Sequence, residues 1–91
     1  MAFRFKKGIR ASYRRQGYIY FLMQNVHLQP EAKREKLKRL CDEAAGEHSA
    51  ALWAYLTTEK GYVAVCREFY LSQETLFRVQ KRFYEKFPER L

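Results

Sequence analysis

Two histidines and two cysteines, His27, His48, Cys41 and Cys66, are the side chains of this 91-residue chain best suited to hold a metal or move a proton. A structural zinc site takes its ligands in close pairs, C-x2-4-C or H-x3-5-H, and neither pair is present. General-base chemistry, of the kind a small basic ribonuclease would need, asks for a histidine with an orienting partner. No Ser-His-Asp, His-x-x-x-His, glycine-rich phosphate loop or Walker pattern accompanies either histidine. No metal, cofactor, small-molecule substrate or enzymatic activity is therefore expected. Cys41 and Cys66 fall on apolar stripes, and two cysteines so far apart make no disulfide framework.

The remaining chemistry is charge, and its placement says more than the net +8. Residues 1–40 hold eleven lysines and arginines against two glutamates, a net +9. Residues 41–74 carry −4 and residues 75–91 carry +3, so both ends are basic and the middle is acidic. Clustered cations of this kind suit a polyanion, because each phosphate they neutralise releases condensed counterions. The first apolar stretch, Tyr18 to Met23, is too short for a secretory signal and lacks a small-residue cleavage site. No apolar run approaches the ~18–20 residues that span a bilayer. A cytoplasmic protein without a membrane partner is expected.

These side chains must be positioned by one domain, residues 1–91, because so short a chain has material for a single core. With 47% hydrophobic and 16% aromatic residues it can build that core unaided. The periodicity predicts an all-α fold, a small bundle of four to five helices. Residues 1–8 alternate apolar and basic and read as an arm, ordered only if something holds Phe3 and Phe5. Residues 9–45 supply the N-terminal helices. The first runs from Ile9 to His27, although Tyr18-Ile19-Tyr20-Phe21 suits a strand equally and residues 18–23 stay open between the two. Pro30 and Glu31 then start a helix whose stripe is Leu37, Leu40, Cys41 and Ala44, capped by Gly46.

Residues 47–87 form a three-helix unit. Ser49 caps a helix, Ala50 to Thr57, that is apolar nearly all round and so belongs at the centre. Thr57 or Thr58 caps the next, with Tyr62, Val65, Cys66 and Phe69 spaced i, i+3, i+4, i+7. Ser72 caps the last, lined inward by Leu76, Val79, Phe83 and Phe87 and ending before Pro88.

The stretch from Tyr62 to Lys81 resembles the helix-turn-helix DNA-binding superfamily. Val65 and Phe69 match the first helix's inward places and Cys66 its small-residue place. Leu71 matches the apolar turn residue, and Leu76 and Val79 the second helix's inward pair. Tyr70 departs from the pattern, standing where the family has glycine with φ > 0, and points to a turn one residue longer or differently shaped. Residues 47–87 as a whole look like sigma-factor region-4-like domains and like small regulators carried by phages and conjugative elements. The first 45 residues match no such pattern.

That resemblance implies sequence-specific binding of double-stranded DNA, in transcription regulation on a mobile element, with Gln73 to Phe87 as the recognition helix. Gln73, Glu74, Phe77, Arg78 and Lys81 would then meet base edges. Gln73 has the amide to pair with adenine, Arg78 the fork for guanine, Glu74 an acceptor for cytosine N4, and Phe77 a ring for a thymine methyl. Ser72, Thr75 and Arg82, with Arg10, Arg14, Arg15, Lys33 and Lys36, would meet phosphates. Structural roles compete for the same residues. Glu74 suits the helix dipole and pairs with Arg78 at i+4, while Phe77 and Tyr84 make a second apolar stripe, buried against the N-terminal segment or a partner subunit. A homodimer is in keeping with a single reading helix, and RNA polymerase is a further candidate partner. Two rivals remain: a protein–protein module built on Phe77, Tyr84 and Trp53 that docks RNA polymerase or conjugation machinery, and RNA or single-strand binding through Tyr13, Tyr18 and Tyr20.

Overall fold

The computed structural model describes Phe3 and residues 5–90. The chain is all-helical: α1 (Tyr13–Gln24), α2 (Glu31–Ala45), α3 (Ser49–Thr57), α4 (Tyr62–Phe69) and α5 (Gln73–Lys86), with short 3-10 turns at Val26–Leu28 and Gly46–His48. Residues 18–23 are helix. Their apolar run is read as helix because Ile19 and Met23, four apart, face the core while Tyr18 and Phe21 do not.

α1 begins four residues later than Ile9. Gly8 takes φ +88, a conformation costly for any residue with a β-carbon, and turns the chain so that Ile9 enters the core. The helix then starts behind Ser12, whose hydroxyl accepts the Arg15 N–H at 3.2 Å. It stops at Gln24, where Asn25 leaves helical geometry and donates its side-chain amide to the Phe21 carbonyl at 2.8 Å. His27 falls in the 3-10 turn beyond.

α3 is the hub. It packs against each of the other four helices and buries Ala51, Leu52 and Leu56. Two expected caps are used otherwise. Ser49 lies inside α3 and donates its hydroxyl to the Asp42 carboxylate of α2. Thr57 and Thr58 donate back to the Trp53 and Ala54 carbonyls, closing α3 instead of opening α4. Gly61 therefore precedes α4 without a side-chain cap. Serine and threonine hydroxyls readily take such i−4 carbonyls at helix ends.

The expected arm is folded down over most of its length; residues 1, 2 and 4 lie outside the described set. Gln16, fully buried, accepts the Lys6 N–H at 2.9 Å and donates to the carbonyls of Lys6 at 3.2 Å and Ala11 at 3.0 Å. Phe3 rests on α1, its ring centroid 5.6 Å from Tyr13 and 5.4 Å from Tyr20. Gly17 lies beneath it: a β-carbon there would meet the Phe3 ring at an ordinary contact distance of 3.6 Å. No helix of the described residues is long and apolar enough to cross a membrane.

Candidate nucleic-acid interface

α4 and α5 are joined by three residues, Tyr70-Leu71-Ser72, and the register of apolar residues explains how they close. Val65 and Cys66 of α4 and Leu76 and Val79 of α5 are buried, with Phe69 and Leu71 half-buried against the same core. Both Tyr70 and Leu71 donate their N–H to the Cys66 carbonyl, the second at 3.0 Å, which satisfies the end of α4. Tyr70 itself takes the left-handed conformation, φ 56 and ψ 49. The three-residue turn is thus kept with tyrosine in the place glycine would fill, neither lengthened nor reshaped. Its side chain is 95% exposed, so the strain is not offset by burial.

Ser72 opens α5 by accepting the Thr75 N–H at 3.1 Å and donating to the Thr75 hydroxyl at 2.9 Å. Leu76, Val79, Gln80, Phe83, Tyr84 and Phe87 are buried, a broad inward arc. The opposite ridge, Glu74, Arg78, Arg82 and Glu85, is exposed. Gln73 is also exposed at the first position. Phe77 and Lys81, expected outward, are half-buried. For Phe77 the cause is the N-terminal segment: Gly8 approaches within 3.7 Å of its ring (measured from the β-carbon glycine lacks), and nearby Arg10 donates its N–H to the Glu85 carboxylate at 2.7 Å. Residues 8–10 therefore meet α5 at Phe77 and at Glu85. Tyr84 is buried as the second stripe required. Of the five side chains expected at base edges, Gln73, Glu74 and Arg78 stand free.

The phosphate candidates divide between the two ends of α5. Ser72 and Thr75 sit at its N-terminus, engaged with each other. Arg15 donates its guanidinium to the Phe87 carbonyl, which with the Arg10–Glu85 bond brings residues 10–15 to the C-terminal turns, near Arg82. Arg10, Arg14 and Arg82 are exposed and Arg15 half-buried. Lys36, exposed on α2, lines a cleft of about 270 Å³ with Arg39, Leu40, Glu43, Pro88 and Arg90, also near the end of α5. Lys33 is half-buried in the first turns of α2. Fourteen helical residues separate these two groups by about 21 Å.

Few of the cations are neutralised. Among the described residues Lys60, beside Glu68, is the one lysine or arginine whose side-chain charge lies within 4.0 Å of a carboxylate. Glu74 and Arg78 do not pair. Arg34 spends its guanidinium on the Gln29 carbonyl at 2.9 Å, and Lys38 stands 5.7 Å over the Trp53 ring. Arg10, Arg14, Arg39, Arg78 and Arg82 are exposed.

Comparison with protein-family models, curated proteins and solved structures finds no match.

The structure also shows polar groups whose role the composition hides. Gln80 sits fully buried in the register of the α5 apolar stripe and accepts the Tyr62 hydroxyl of α4. Tyr62 stacks on Tyr55 of α3 at 4.5 Å, and Lys6 stands 5.7 Å over the Tyr62 ring. This cluster ties α3, α4, α5 and the N-terminal segment together behind the exposed ridge. A glutamine between Leu76, Val79 and Phe83 was the available signal. Burial raises the pKa of Tyr62 and of Tyr84 above the ordinary phenol value, with neighbouring tyrosines adding to it. Burial likewise pushes the Cys41 thiol up to about 12. Cys41 and Cys66 are free and buried, His27 is exposed, and His48 lies 3.7 Å from its neighbour Glu47. Among the described residues no three metal-ligating side chains gather.

Proposed function

We propose that this chain binds double-stranded DNA with α5 as the reading helix. The observation that carries the reading is the exposed, unpaired stretch of α5 formed by Gln73, Glu74, Arg78 and Arg82. Arg78 and Arg82 stand outward on a helix whose opposite face is wholly buried. That helix follows a three-residue turn with a left-handed residue at its first position. A two-helix hairpin of this kind presents the N-terminal half of its second helix to the major groove. The resemblance of residues 62–81 to the helix-turn-helix superfamily supports the same assignment.

On this reading Gln73, Glu74 and Arg78 meet base edges, with Arg78 bidentate to guanine. Ser72, Thr75 and Arg82 meet phosphates along the groove walls, and Arg10, Arg14, Arg15 and Lys36 add contacts beyond the C-terminal end of α5. Phe77, packed against Gly8, and the half-buried Lys81 leave the readout to their exposed neighbours. A role in transcription regulation, on a mobile element and with a second copy or RNA polymerase as partner, follows from the resemblance alone.

Selection of bound sequences from a random duplex library, at two salt concentrations, tests the proposal. Enrichment of a motif by the native protein, relaxed at one base position by Arg78→Ala, is the expected result. A library that emerges without sequence preference from the native protein would overturn it.

A further inference from the structure

We propose that the outward face of α1 is a second nucleic-acid surface, a platform on which unpaired bases stack. Arg14, Tyr18 and Phe21 recur at i, i+4 and i+7 and so share one ridge of the helix. Tyr18 is 53% exposed, Phe21 50% and Tyr13, at the start of the helix, 62%. They are not surplus to a poorly formed core, because the other face of α1 buries Gln16, Ile19 and Met23 completely. The platform is also held still. Gln16 bonds to the backbone of residues 6 and 11, Arg15 to the Phe87 carbonyl, and the Tyr18 ring meets Phe87 edge-on at 6.3 Å.

Charge selects the occupant. Residues 1–30 contain six lysines and arginines and not one aspartate or glutamate. Exposed rings alone would suit another protein or a second copy. Two copies, however, would bring like charge against like charge, which opposes association. A single strand offers what both features ask for: a phosphate for Arg14 at the head of the ridge, and flat bases for the Tyr18 and Phe21 rings that follow it. Stacking is tolerant of sequence, since every base has a π-face. This surface is separate from the ridge of α5, and the inference does not rest on duplex binding by that helix.

The probe is a fluorescently labelled oligothymidylate of about 15 nucleotides, within the span such platforms occupy, titrated by anisotropy beside a labelled duplex. Tyr18→Ala and Phe21→Ala are each expected to weaken oligothymidylate binding at least about fivefold, while duplex affinity stays within about twofold. Arg78→Ala should show the opposite pattern. Tyr18→Phe and Phe21→Tyr keep a ring and should retain single-strand binding, which separates stacking from any loss of fold. The proposal is overturned if the native protein does not bind oligothymidylate, or if the double alanine variant binds it as well as the native protein. It is equally overturned if the two substrates weaken in step. A concentration-dependent dimer that the double variant dissociates, with oligothymidylate binding unchanged, would assign the face to self-association instead.

Discussion

Replacing Tyr70 by glycine should stabilise this protein. Tyr70 holds φ 56 and ψ 49, where its β-carbon crowds the following carbonyl, at a cost of about 1–2 kcal/mol. Glycine removes that cost but gives the unfolded chain more freedom to lose, about 0.5–1 kcal/mol. Nothing else of size enters, because a side chain 95% exposed contributes almost no burial. The net gain is about 0.5–1 kcal/mol, which for a domain of this length raises Tm by roughly 2–8 °C. Thermal unfolding followed by circular dichroism, with urea titration as a second reading, measures it. Tyr70→Ala is the matched control: alanine keeps the crowded β-carbon and should stay within about 0.5 kcal/mol of the native protein. A glycine variant less stable than native, or an alanine variant as stabilised as glycine, would show that the turn does not store the strain assigned to it.

Gln16→Ala should cost about 2–4 kcal/mol in urea unfolding, since it removes three hydrogen bonds and strands the Lys6 and Ala11 backbone groups. It should also open residues 5–11 to rapid amide exchange. Gly17→Ala should gain about 0.5–1 kcal/mol, the ordinary preference for alanine in a helix interior, because its new β-carbon meets the Phe3 ring at a normal 3.6 Å. Alkaline pH should destabilise the fold. Tyr62, Tyr84 and Cys41 have folded pKa values raised above 10.0 for the phenols and 9.0 for the thiol, so the unfolded chain releases these protons first. Their contribution is complete below pH 9.0 and falls as pH climbs through 9.0 for the thiol and 10.0 for the phenols, read as a falling urea midpoint. Lys36→Ala should weaken all duplexes alike and reduce the dependence of affinity on salt by about one counterion.

The helical stripes were legible because burial with a 3.6-residue period leaves a direct trace in sequence. Leu37, Cys41 and Ala44, then Val65 and Cys66, then Leu76, Val79 and Phe83 were all readable from spacing and are all buried. The length of the turn was not legible: Tyr70 pointed to a longer or reshaped connection, whereas three residues suffice because its backbone takes the left-handed conformation. Nor was the path of the N-terminal segment. It is held by Gln16 and by bonds from Arg10 and Arg15 to residues 75 and 72 positions away, and local patterns carry no trace of such partners. For the same reason Phe77 looked free: helical phase sets which side it faces, while what lies against that side comes from the other end of the chain. The threonines were misread because a hydroxyl serves the helix behind it as readily as the helix ahead.

The central claim is that duplex DNA lies against the outward ridge of α5. Amide chemical shifts of the isotope-labelled protein, recorded as a duplex carrying the selected motif is added, test it residue by residue. The largest changes should fall at Gln73, Glu74, Arg78 and Arg82 and at the Ser72–Thr75 turn, with smaller ones at Arg10 and Arg14. Changes that spare α5 and gather on α2 or α1 would contradict it.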